Sequence, residues 1–217
     1  MRRSIVIGMV AVLSVFGFLG CGTKTESKPK PQPEAKPMAA NLTLGNLKSA
    51  CQEEVNAKAR YEAFAAKADE EGYKSAAALW RAAANSQNLS LAKHEAALKA
   101  LGAEAKAEAA KPEVKSTKEN LEATVKDKTA SLAALPARIK TAQDEKQEKA
   151  AMSFMGQKAA DTEYLKYFGE ALANPDGWKA GDKEFLVCQV CTYVSTDLAL
   201  KQCPICSAPR EKFVSFK

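Results

Sequence analysis

Cys188-x2-Cys191 and Cys203-x2-Cys206 constrain this chain more than any other feature of it. Each pair makes a knuckle offering two thiolates, and the eleven residues between the pairs let the knuckles close on one tetrahedral four-sulfur site. Iron or zinc suits such a site, whereas harder cations prefer oxygen donors. Two disulfides in an exported domain are the competing reading of the same residues. It is the weaker one, because a Cys-x2-Cys pair closes a tight ring and paired knuckles are a metal signature.

The flanking residues narrow the choice. Phe185-Leu186-Val187-Cys188-Gln189-Val190-Cys191-Thr192-Tyr193, then Cys203-Pro204-Ile205-Cys206-Ser207-Ala208-Pro209-Arg210 with Phe213 closing, resembles the rubredoxin-like domain at the C-terminus of rubrerythrins. That resemblance implies one iron held by Cys188, Cys191, Cys203 and Cys206 and passing single electrons, with backbone N–H groups aimed at sulfur setting the potential. Thr192 departs from the family, which usually has glycine after the first knuckle. A positive φ there would cost a β-branched residue roughly 1–2 kcal/mol. The departure keeps a zinc ribbon open as the alternative.

The N-terminus carries an address. Arg2 and Arg3 precede an uncharged apolar run from Ile5 to Phe18, too short for a comfortable membrane span, and Phe18-Leu19-Gly20-Cys21 has the form of a lipoprotein cleavage box. Residues 1–20 are thus expected to be a signal peptide and Cys21 the lipid-attachment residue, which places the mature chain outside the cytoplasmic membrane, on its periplasmic or extracellular side. Residues 21–41 follow as a Pro/Lys-rich linker that lacks the apolar side chains to bury a core. Removing Arg2 and Arg3 from the formal +6 leaves +4, and Lys and Glu alternate along helix faces without a basic stripe. Nucleic-acid binding therefore has no support.

Residues 42–174 show four stretches of helical periodicity: about Leu44 to Glu71 before Gly72, about Lys74 to Leu101 before Gly102, a third opened by the Ser116-x-x-Glu119 capping box, and about Glu148 to Leu172 before Asn174-Pro175-Asp176-Gly177. Pro136 is expected to kink the third. A long Lys/Glu/Ala connection separates the second helix from the third. The fold class that follows is mostly α: a four-helix ferritin-like bundle, then a small rubredoxin-like or zinc-ribbon β domain over residues 183–217. Glu54-Val55-Asn56-Ala57-Lys58-Ala59-Arg60-Tyr61, Ala68-Asp69-Glu70-Glu71-Gly72-Tyr73, Glu119-Asn120-Leu121 and Leu135-Pro136 are similar to rubrerythrin helices as well.

The bundle departs from that family where its chemistry would sit. Ferritin-like di-iron sites take Glu from two helices and Glu-x-x-His from the other two. Glu54 matches the first ligand. The second helix offers Gln87-x-x-Ser90, the fourth Asp161-x-x-Tyr164, and the third Asp127 or Lys128 followed by Ala130 or Ser131. Glu54 and Asp161 would thus remain as a vestigial pair, compensated by Arg60, Lys58 or Lys128 or with one carboxyl protonated. The di-iron centre is expected to be absent, and the family's oxidase or peroxidase activity with it. His94, the only histidine, lies on the inward stripe and is expected to be packed rather than a displaced ligand; Cys51 is expected to be a small buried side chain rather than a reactive thiol.

The expected protein is a membrane-anchored electron carrier that uses one iron, pairs as a homodimer as the resemblance implies, and serves an unnamed redox protein. A structural zinc-ribbon lipoprotein is the alternative, and an active di-iron peroxidase the third reading.

Overall fold

A computed structural model of the protein describes residues 41–217. The expected signal peptide, Cys21 and the expected linker before Asn41 lie outside the described residues. Four long helices follow one another: α1 (Leu42–Glu70), α2 (Lys74–Ala100), α3 (Thr117–Asp144) and α4 (Glu148–Ala173). The N-termini of α1 and α3 are fixed by polar groups from elsewhere in the chain as well as by their own caps. Asn41 Oδ1 accepts from the Leu44 N–H at 3.0 Å, and Glu145, in the α3–α4 turn, accepts from the Leu42 and Thr43 N–H groups at 3.0 and 3.1 Å. Glu71 at the end of α1 accepts from the Thr117 N–H at 2.8 Å, while Ser116 and Glu119 close the capping box on α3. Orphan amides at helix N-termini are thereby satisfied by carboxylates, which also complement the helix dipole. Pro136 sits within α3 without ending it.

The connection from α2 to α3 has no regular structure. It is strapped to α1, since Gln52 Nε2 donates to the Glu108 carbonyl at 2.7 Å and Asn56 Oδ1 accepts from the Ala110 N–H at 3.0 Å. Helices α1 and α2 pack along their length, as do α3 and α4, whereas α1 and α3 meet sparingly.

Two apolar clusters fill the bundle. One joins Tyr61, Phe64, Trp80, Tyr164 and Phe168, with neighbouring ring centroids 5.7–6.3 Å apart. The other joins Leu47, Leu98, Leu135 and Phe154. A buried polar layer lies between them along the helices: Glu54 on α1, Gln87, Ser90 and His94 on α2, Thr124 and Lys128 on α3, and Gln157 and Asp161 on α4. The apolar stripes of the sequence account for both clusters, and the polar layer is where the stripes break.

The C-terminal segment forms a three-stranded antiparallel sheet in the order β2 (Val194–Ser195), β1 (Phe185–Cys188), β3 (Phe213–Phe216). Every residue of β1 is buried, so it has no solvent face. Alternation sends Phe185 and Val187 into the bundle core with Trp80 and Trp178, while Leu186 and Cys188 face a second small core with Cys203 and Phe213. Trp178 stacks on Phe185 at 6.0 Å and Gln189 Nε2 donates to Asn85 Oδ1 on α2 at 2.9 Å. The ferritin-like bundle and the small β unit expected from the sequence are both present, and they share this strand.

Because β1 belongs to both cores, Phe185→Ala is expected to cost about 3–5 kcal/mol and to lower the stability of bundle and tail together. Thermal unfolding followed by far-ultraviolet circular dichroism and by the absorbance of the metal-loaded tail should show one transition shifted as a unit. A tail that melts alone while the helices keep their midpoint would contradict the shared core.

Candidate metal centre and the polar layer of the bundle

The four cysteines come together through two equivalent turns. After Cys191 the chain reverses at Thr192, whose φ is 71°, and after Cys206 it reverses at Ser207, φ 57°. The Thr192 N–H donates to the Cys188 carbonyl and the Ser207 N–H to the Cys203 carbonyl, both at 2.9 Å. The positive φ weighed from sequence at Thr192 is thus real, and the second knuckle carries its counterpart. Thr192 is fully buried, its hydroxyl donating to the Cys191 carbonyl, so the strain is held by contacts on all sides.

The four Sγ atoms all lie within 4.8 Å of one another, with Cys188 and Cys206 3.7 Å apart and Cys191 and Cys203 3.4 Å apart. Backbone N–H groups bear on the sulfurs, those of Val190 and Cys191 on Cys188, that of Tyr193 on Cys191 and that of Ala208 on Cys206. Burial pushes the thiols of Cys188 and Cys191 up. At Cys206 burial pushes the same way, but the Ala208 N–H and the neighbouring thiols together hold the group below its ordinary value. Four convergent sulfurs with amides aimed at them fit a tetrahedral metal that accepts thiolate, and the amides would stabilise the negative charge of the sulfurs.

Lys93 of α2 stands beside this centre. It lines a groove of about 380 Å³ together with Cys191, Val190, Met152 and Gly156. Burial draws its amine below the usual lysine range, while the charges of Cys191, Cys188 and Cys206 act in the opposite sense. No pattern in the sequence links residue 93 to residues 188–206.

Glu54 and Asp161, carried by different helices, both lie in the polar layer, where Lys128 and Gln87 connect them. Lys128 Nζ binds Asp161 Oδ1 in an ion pair buried from solvent, and Ser131 Oγ donates to Asp161 Oδ2 at 3.0 Å. Gln87 bridges Lys128 and Glu54, its amide oxygen accepting from Nζ and its nitrogen facing Glu54 Oε2. Burial favours loss of the Lys128 proton, but the Asp161 carboxylate bonded to it outweighs burial and holds the ammonium charged. Of the compensating cations considered from sequence, Lys128 is the one in contact. Arg60 pairs with Asp127 at 3.1 Å and Lys58 with Glu62 at 2.8 Å.

Burial raises the Glu54 carboxyl above its ordinary range; Asp161 adds to this, while His94 and Lys128 oppose it. Glu54 Oε1 stands 3.8 Å from His94 Nε2, and neither atom has a hydrogen-bond partner. On its other side the imidazole meets Ser153 Oγ at 3.0 Å, and that hydroxyl donates to the Ala150 carbonyl, so Nδ1 carries the proton. His94 is therefore packed, against Phe154 with ring centroids 5.2 Å apart, and also faces Glu54. Cys51 is buried, and burial together with Glu95 and Glu54 pushes its thiol up to about 11. A cleft of about 360 Å³ between α1 and α3 opens this layer towards solvent past Arg138, which binds Glu53 through both amino groups at 2.6 and 2.7 Å.

Comparison with known proteins agrees with this architecture. Residues 187–214 match the family described as the rubredoxin-like domain of rubrerythrin. Nigerythrin of Nitratidesulfovibrio vulgaris is 30% identical over 181 residues, which cover 82% of this chain and 88% of that protein. Nigerythrin solved in its fully reduced, all-ferrous state superposes with a TM-score of 0.73 at 29% identity, covering 88% of this chain and 91% of its own. The mixed-valent state gives 0.74 at 28% identity, covering 85% and 90%. Bacterioferritin BfrA of Mycobacterium tuberculosis, 18% identical with a TM-score of 0.57 over 62% of this chain and 86% of its own, shares the bundle fold.

Two outcomes follow from the polar layer. Lys128→Met leaves Asp161 buried without its cation and is expected to cost about 3–5 kcal/mol, whereas Lys128→Met with Asp161→Leu should recover most of that; urea unfolding of the three chains measures it. Glu54→Gln should stabilise the protein at neutral pH. A carboxyl whose value is raised on folding withholds stability as pH climbs through the raised value, and withholds none below the ordinary value near 4.5. The gain should therefore vanish in acid, and a loss of stability at neutral pH would mean that Glu54 works as an ion.

Proposed function

This chain belongs to the rubrerythrin family, and we propose that it acts within that family as a lipid-anchored carrier of single electrons, through one iron held by Cys188, Cys191, Cys203 and Cys206. The observation that carries the reading is the convergence of four sulfurs within 4.8 Å under backbone N–H groups. Iron held there would supply one-electron exchange between its ferric and ferrous states. The chain's own part is to hold the sulfurs at one spacing in both states and to place amide dipoles where negative charge grows. Iron is favoured over zinc because a relative spanning most of the chain has been solved in ferrous and mixed-valent states.

The bundle, on this reading, has given up the di-iron chemistry of its relatives. Its polar layer does not fit two metal ions: the Lys128 ammonium ion is bonded to Asp161, the Gln87 amide bridges it to Glu54, and His94 is the single imidazole. A cation already bonded to Asp161 repels metal from the remaining donors, so we derive no oxygen or peroxide chemistry here. The bundle then serves as a scaffold that dimerises and carries the tail. Anchoring rests on Phe18-Leu19-Gly20-Cys21 and the spacer behind it, which together would hold the carrier on the outer side of the cytoplasmic membrane, facing a redox protein partner.

Metal analysis and reductive titration of protein taken from its own compartment test this. About one iron per chain and uptake of about one electron are expected, with Cys21 modified by lipid in the mature N-terminal peptide and metal lost in Cys203→Ser. Stoichiometric zinc and no electron uptake would favour a purely structural ribbon instead.

A further inference from the structure

Lys93, contributed by the bundle, lines the same groove as the ligand Cys191. Its Nζ lies 4.0 Å from the position a Cβ would take at Gly156 on α4, and its side chain shares a groove with the ligand Cys191 and with Val190. Glycine in mid-helix costs about 1 kcal/mol relative to alanine, and here it leaves an open corner into which the lysine reaches. The side chain is half-buried, so its charge is less screened by salt than that of a free surface lysine. Its electrostatic reach takes in Cys191, Cys188 and Cys206.

We propose that Lys93 is a positioning residue for charge at the four-cysteine centre: its ammonium group, lent by α2 of the bundle, raises the reduction potential of the bound iron. Four thiolates around ferric iron carry one net negative charge, and one added electron makes it two. A fixed positive charge nearby therefore stabilises the reduced form more than the oxidised form. The bundle thereby acquires a part in electron transfer without holding metal of its own. The inference rests on the four-cysteine site accepting iron, whichever metal it holds in the cell.

The test uses the full chain loaded with iron in vitro, so that it stands apart from the question of the native metal. Lys93→Gln should lower the ferrous-to-ferric ratio at fixed poise by roughly three- to tenfold, tenfold being about 59 mV for one electron. Lys93→Arg should restore the native value, and Lys93→Glu should move further in the direction of Lys93→Gln. The ferric thiolate absorption should be the same in all of them, showing an intact ligand set. Should Lys93→Gln fail to load iron, Lys93→Met, which keeps the apolar stem, is read in its place. An unchanged potential in the neutral variant, or equal shifts in the glutamine and arginine variants, overturns the proposal. Zinc in the native protein would overturn the electron-carrier reading and leave this measurement standing.

Discussion

Lys128 and Asp161 meet between two apolar clusters, almost wholly buried beneath a cleft between α1 and α3, and the surrounding polar layer is organised by their need for one another. Neither charge would be tolerated there alone, since an unpaired buried ion costs several kcal/mol. Ser131 hydrogen-bonds to Asp161 and Gln87 to Lys128, and Gln87 passes the contact on to Glu54. Buried carboxylates can be neutralised by a bound cation, by a side-chain ammonium ion or by a proton. Here one carboxylate is answered by an ammonium ion, and the other is driven by burial towards its neutral form. Side chains from α1, α2, α3 and α4 join the four helices through this layer.

The second organising element is β1. A strand whose alternate residues enter different cores makes the four-cysteine loop part of the bundle rather than an appendage. Val190 and Cys191 come to lie over Lys93 because Phe185, Val187 and the Gln189–Asn85 hydrogen bond hold the strand against α2. Stability of the helices, closure of the knuckles and the electrostatic surroundings of the sulfurs are thereby linked.

Much of this was legible in the residues, for reasons that differ by element. The Cys-x2-Cys knuckles are local geometry, so spacing alone identifies them, and the positive φ at Thr192 follows from its place in the turn. The Ser116–Glu119 box is likewise local and marks the start of α3. His94 and Lys128 fell on inward positions because helical periodicity does not depend on what lies opposite. What lies opposite is what sequence could not supply. Lys128 and Asp161 are on different helices, and their pairing depends on the rotation of α3 against α4. The capping of α1 by Glu145, the entry of β1 into the bundle core and the reach of Lys93 to the sulfurs all join segments about a hundred residues apart in the chain. Alanine-rich helices add to the difficulty, because small residues pack on several faces and leave the stripe ambiguous.

The central claim is that an ammonium ion has taken the place of metal in the bundle, so that metal binding is confined to sulfur. Equilibrating the full chain anaerobically with excess ferrous iron, then removing what is loosely held and counting the remainder, tests it most directly. About one iron per chain is predicted, released by Cys203→Ser and indifferent to Lys128. Retention of about three, with two surviving Cys203→Ser, would mean that the bundle still builds a di-iron centre and that the Lys128–Asp161 pair gives way to it.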